Sequence, residues 1–230
     1  SMVSAQAEGV IAALVVLAAI VLSVMATLFI SRLLTSTILR GKPSFFILEL
    51  PPYRRPQIAT VLVRSFLDRT LAVLWRAVIV AAPCGLLTWI LANVTVGHIT
   101  LFDRFSQWLK PLGGAMGLDG VILLGFILGL PANEIVIPII FMSYLSAGAL
   151  MEVQGIAAIE SLLITNGWTW LTALNFMIFA IFHWPCGTTL LTIKKETGSL
   201  KWTMLSAVLP TMVGVILCIT ITFFVRFVGL

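Results

Sequence analysis

Apolar positions in this chain come in long runs, not in the alternation of a strand or the narrow stripe of a surface helix. The first run, Val10 to Ile30, holds no charged residue. A helix of that length rises roughly 31 Å, about one hydrocarbon thickness, and is too long for the core of a signal peptide. No basic residue precedes it either. A second run, Leu71 to Val94, is interrupted by Pro83, and a last one covers Met204 to Val225. Between them lie two broken runs. Val121–Leu150 is cut by Pro131, Asn133, Glu134 and Pro138, and Trp168–Ile193 is cut at Pro185-Cys186-Gly187. Thirty helical residues would extend roughly 45 Å, too far for one upright crossing.

The polar stretches separate these spans. Ser1-Met2 reads as a leftover of cloning, residues 3–30 as the first transmembrane helix, and 31–70 as a basic linker rich in helix breakers. In that linker Pro51-Pro52 forces an extended backbone. After Pro56, the apolar positions Ile58, Val61, Leu62 and Phe66 predict an amphipathic helix with Arg64 and Arg69 toward lipid headgroups. Thr95–Gly120 and Met151–Gly167 read as connecting segments, with Trp108 suited to a membrane interface.

Composition fixes the class. With 60% apolar and 10% charged residues and a mean hydropathy of +1.12, the chain lacks the polar surface of a soluble domain. The expected fold class is an all-α integral membrane protein of four to five spanning helices plus one re-entrant or broken hairpin. The net charge of +5 is unevenly placed: eight basic residues lie between Arg32 and Arg76, against Glu49 and Asp68. That matches the Lys/Arg excess of cytoplasmic loops, and no nucleic-acid partner is expected. Keeping Lys194, Lys195 and Lys201 on the same side requires exactly one broken run to be re-entrant. Val121–Leu150 is the choice, with Leu130-Pro131-Ala132-Asn133 as its tip.

Proline in a helix frees the carbonyl four residues earlier, and in lipid that group needs protein or water to face. Broken helices near the midplane are how many transporters build ion sites. Glu134 stands out, because a carboxylate within an apolar run costs about 2.5–3.5 kcal/mol even on insertion scales. It needs a pairing partner, such as Asn133 or Tyr144, a proton or a bound cation. Cys186, beside Pro185, Thr188 and Thr189, is the second candidate; Cys218 reads as apolar filler. His183, Asn133 and Cys84 are weaker metal candidates. Three cysteines in apolar settings do not make a disulfide framework. Thiolate, carboxylate and imidazole suit a borderline transition metal better than Ca²⁺ or Mg²⁺. No HExxH, CxxC pair, P-loop or GxSxG occurs, so enzymatic activity is not expected and no tightly bound cofactor is implied. Gly125 and Gly129, spaced as GxxxG, suit close helix packing.

Three segments carry a resemblance. Glu49-Leu50-Pro51-Pro52-Tyr53-Arg54-Arg55-Pro56 resembles the ELPPYR-P segment of FeoB-type ferrous iron transporters. Gly129 through Val136 is similar to a segment of that family's second Gate repeat. Pro185-Cys186-Gly187-Thr188-Thr189, followed by Lys195-Glu196-Thr197-Gly198-Ser199 and Trp202, resembles its C-terminal repeat. The resemblance implies a Gate-type domain over 71–230, Fe²⁺ as the transported ion, and Cys186 and Glu134 near its path in a cell membrane. Such proteins also have a GTP-binding domain and two inverted Gate repeats, and this chain resembles the C-terminal half. Its expected partners are the bilayer, the divalent metal, and either a second copy in a dimer or the missing GTPase half. Two alternatives are a standalone Gate-type scaffold of the spore-maturation kind and a nucleoside or organic-solute carrier of the same fold.

Overall fold

The computed structural model describes residues 2–37, 63, 67, 70–146, 148–150, 153 and 155–229. The 49–56 segment and nearly all of the 58–69 helix expected above lie outside the described residues. The chain divides into two units, Ser1–Val63 and Arg64–Leu230. The first contains α1, Met2–Thr37. Within α1, the hydroxyls of Thr27 and Thr35 donate to the carbonyls of Ser23 and Ser31, each at 2.8 Å. These bonds to the preceding turn let a polar side chain sit in an apolar helix.

The second unit opens with α2, Leu71–Asn93, which keeps Pro83 in its interior. It leads into a minimal ribbon, β1 (Thr95–Val96) against β2 (Ile99–Thr100), turning at Gly97 with φ 77°. This ribbon is the small exception to the all-helical expectation. Thr95–Gly120 is also more than a connection, because Leu101–Ala115 forms a helix, α3. Thr100 starts it: its hydroxyl accepts from Asp103 N at 3.1 Å and donates to Asp103 Oδ2 at 2.8 Å. Likewise α6, Ile156–Thr165, occupies the segment read as a short connection.

At Gly120 the chain bends 109° into α4, Gly120–Leu128. A 3₁₀ turn at Asn133–Ile135 then leads to α5, Val136–Tyr144. The two helices form an antiparallel hairpin, as two side-chain meetings fix. A Cβ on Gly125 would lie 3.1 Å from Ile140 Cγ1, and one on Gly129 would collide with Val136. The glycine spacing therefore serves close packing inside the hairpin. Each arm has nine residues and rises roughly 13 Å, under half of a ~30 Å hydrocarbon core. That length suits a segment that enters and returns on one side. Pro138 does not break α5. It sits in the first turn, where its missing N–H has no helical partner to lose.

The remaining helices are α7 (Trp170–Phe182), α8 (Gly187–Thr197) and α9 (Leu200–Val228). Among the described residues, four segments are long and apolar enough to cross a membrane: α1, α2, α7 with α8, and α9. A fifth arises if the bent α3–α4 pair is one span. This is a multi-pass, essentially all-α membrane architecture.

Polar clamps fasten the unit. Asp119 caps α4 by accepting from Ile122 N at 2.6 Å, and its other oxygen accepts from the Tyr144 hydroxyl at 2.8 Å. Trp168 Nε1 donates to the same hydroxyl oxygen at 2.8 Å. One carboxylate thus joins the two outer ends of the hairpin to the start of α7. Deeper, the fully buried Asn175 donates to the Met116 carbonyl and to Thr222, both at 2.9 Å. Phe126 packs edge-on against Phe179 with ring centroids 4.9 Å apart. Asp119→Ala removes a cap and the Tyr144 acceptor together. Thermal unfolding in detergent should register a loss of about 1–3 kcal/mol, the scale of a cap plus an orphaned hydroxyl; an unchanged midpoint would show that the clamp is not needed.

Candidate functional site

Pro131 and Pro185 both lie in true helix breaks, and the fold brings these breaks together. The N–H of Gly187, first residue of α8, donates to the Leu130 carbonyl at the hairpin tip, at 2.7 Å. Gly187 is buried, and a Cβ there would lie 2.8 Å from Val80 Cγ1 of α2 and 3.5 Å from the Leu130 oxygen. Only a residue without a side chain lets α2, the tip and the α7–α8 break meet this closely. The freed backbone groups expected of broken membrane helices are thus partly satisfied by one another.

Cys186 is the N-cap residue of α8 and is half-buried. Its sulfur lies 3.2 Å from Thr188 Oγ1 and 3.1 Å from Thr189 Oγ1. As a thiolate it accepts from both hydroxyls, and the positive end of the helix adds to its stabilisation. Thr188, Thr189 and Thr192 continue into an open groove of about 250 Å³ that also touches Val73. The groove offers hydroxyl oxygens one helical turn apart, starting at the thiol. Thr192 was not among the residues singled out from the sequence; its place one helical turn after Thr188 was the signal available.

The other candidates are placed less centrally. Asn133 and Glu134 lie in the 3₁₀ turn just past the tip, and both are exposed. Glu134 pairs with neither Asn133 nor Tyr144, because the Tyr144 hydroxyl is taken by Asp119 and Trp168. Its carboxylate has no hydrogen-bond partner among the described residues. His183 turns into an aromatic cluster, its ring 4.9 Å from Phe126 and 6.1 Å from Trp184. Its Nδ1 donates to the Ala180 carbonyl at 2.8 Å, and its buried Nε2 has no hydrogen-bond partner among the described residues. Cys84 is half-buried in α2, and its carbonyl accepts from Thr88 at 2.9 Å. Cys218 is fully buried, with its sulfur 3.5 Å from the Asn175 carbonyl, as packing filler would be. Among the described residues no three His, Cys, Asp or Glu side chains cluster as a ready metal site. What the fold assembles is one thiol, hydroxyls and backbone at a helix break, next to a tip that carries an amide and a carboxylate.

A Gate family model, described as nucleoside recognition, matches residues 74–200, more than half of the chain and the whole of this junction. The chain belongs to the Gate family. Ahead of the Gate match, the model for the ferrous iron transport protein B C terminus matches residues 16–68. Similar proteins include one named Fe(2+) transporter FeoB from Staphylococcus aureus, 32% identical over 89% of this chain and 30% of the relative. Another of the same name, from Methanocaldococcus jannaschii, is 26% identical over 90% of the chain and 32% of the relative. A third, from Synechocystis, is 26% identical over 72% of the chain. The Gate-family chain thus corresponds to a C-terminal FeoB-type membrane segment and spans about a third of the length of these relatives. No solved structure matches it.

Proposed function

We propose that this Gate-family chain forms part of a ferrous iron pathway across a cell membrane, with Fe²⁺ passing the junction of the hairpin tip and the α7–α8 break. The observation that carries the reading is the Gly187–Leu130 hydrogen bond, which sets the Cys186 break against the Asn133–Glu134 tip. A single soft thiolate with several oxygens can replace part of the hydration shell of Fe²⁺ without trapping the ion, as transport requires. The names of the FeoB-type relatives support the same ion.

In this reading the Lys194–Lys201 segment is cytoplasmic, following the bias of basic loops, and the α3 side is external. The threonine groove of α8 then leads inward from Cys186. A second copy or a companion half completes the wall around the junction, since the exposed Asn133 and Glu134 side chains meet no partner among the described residues. Expression in cells deficient in ferrous uptake tests the reading: Fe²⁺ accumulation should rise severalfold over an empty control. Nucleoside accumulation without iron uptake would instead support a solute carrier of the same fold.

A further inference from the structure

A second polar cavity lies at the far end of α5 from the tip, roughly 13 Å along that helix. It measures about 270 Å³ and is lined by Asn93 from the end of α2, Thr100 and Asp103 from the start of α3, and Ser143 and Ser146 from the end of α5. Buried Phe102 and Met142 make its apolar walls. Asn93 spends both amide hydrogens on the carbonyls of Trp89, at 3.0 Å, and Gly148, at 2.8 Å. Its side-chain oxygen has no hydrogen-bond partner among the described residues. Asp103 accepts from Thr100 through Oδ2 only. The adjacent Arg104 donates instead to the Val96 carbonyl at 3.3 Å, and Asp103 has no ion pair among the described residues. The hydroxyls of Ser143 and Ser146 likewise have no hydrogen-bond partner among them. Ser146 is also the one non-glycine described residue with positive φ, 49°.

We propose that this cavity is an antechamber for a hydrated divalent cation, separate from the Cys186 junction. Its donors are all oxygen and include one carboxylate, a set suited to a hard cation held largely through its own water. A water occupies about 30 Å³ of liquid, so an ion with six waters fits the space. The single negative charge attracts the ion, and the neutral oxygens accept from its waters without stripping them. Binding through the ion's own water leaves it free to exchange.

Mn²⁺ is the probe, followed by electron paramagnetic resonance on the full purified chain in detergent. Cys186→Ser serves as the parent, so that the thiol junction is not counted. The parent should bind Mn²⁺ saturably. Asp103→Asn, which keeps an acceptor for Thr100, should weaken binding at least tenfold. A Ser143→Ala/Ser146→Ala double variant, remote from the helix cap, should weaken it severalfold. Absence of saturable binding in the parent, or equal affinity in both variants, overturns the assignment. Because the readout is binding and not uptake, failure here is distinct from failure of the Cys186 pathway.

Discussion

Cys186→Ser is expected to cut Fe²⁺ uptake by about 10–100-fold, the range by which altering a metal's supporting groups lowers affinity. The substitution keeps the size of the side chain and its reach to Thr188 and Thr189, at 3.2 and 3.1 Å from the sulfur. What it removes is the soft sulfur donor at the start of α8, replaced by a harder hydroxyl oxygen. Glu134→Gln should cost less, a severalfold loss, because that carboxylate stands just past the tip, exposed and outside the thiol–hydroxyl group at the start of α8. Cys218→Ser is the control, sealed between α7 and α9 against the Asn175 carbonyl. Initial uptake rates of radioactive iron under reducing conditions, in the complete transporter, measure all three. Wild-type rates in both Cys186→Ser and Glu134→Gln would remove the junction from the ion path.

Gly187→Val should abolish uptake through geometry alone. A Cβ at Gly187 already meets Val80 Cγ1 at 2.8 Å, and valine adds two methyl groups to that contact. Overpacking of this kind costs about 1–3 kcal/mol, and its relief needs Val80 of α2 or the α7–α8 break to shift, which loads the hydrogen bond from Gly187 to Leu130. Amide exchange reports this directly, since the Gly187 N–H is held by Leu130 at 2.7 Å. In the valine variant, exchange at position 187 should quicken while the Asn175 clamp stays protected. Gly187→Ala should fall between. A valine variant with native exchange and native uptake would show that the close approach has no role in transport.

The spans and both breaks were legible because they rest on local chemistry. Uncharged runs of membrane length, Pro131 and Pro185 each mark themselves, and so do the small residues Gly125 and Gly129. The contact between Leu130 and Gly187 left no such mark. It joins two backbone groups far apart in the chain, and the leucine side chain says nothing of where its carbonyl points. Helix α3 was obscured by Pro111 and the glycines near its end, although Thr100 and Asp103 already formed a recognisable start signal. Of the partners left open for Glu134, Tyr144 is excluded by competition. Asp119, placed at the cap of α4, offers Tyr144 a fixed acceptor that an exposed acid in a 3₁₀ turn does not match.

The fastening of the hairpin is unequal along its length. Its outer ends are anchored twice, through Asp119–Tyr144 and Tyr144–Trp168, whereas the described contacts of the tip with the α7–α8 break include one backbone hydrogen bond. The base of the hairpin is therefore held by side chains, and its tip by core packing and backbone. The joint at the tip is made of backbone alone, so no side-chain deletion can remove it; only a residue that needs more room, as at Gly187, can force it open.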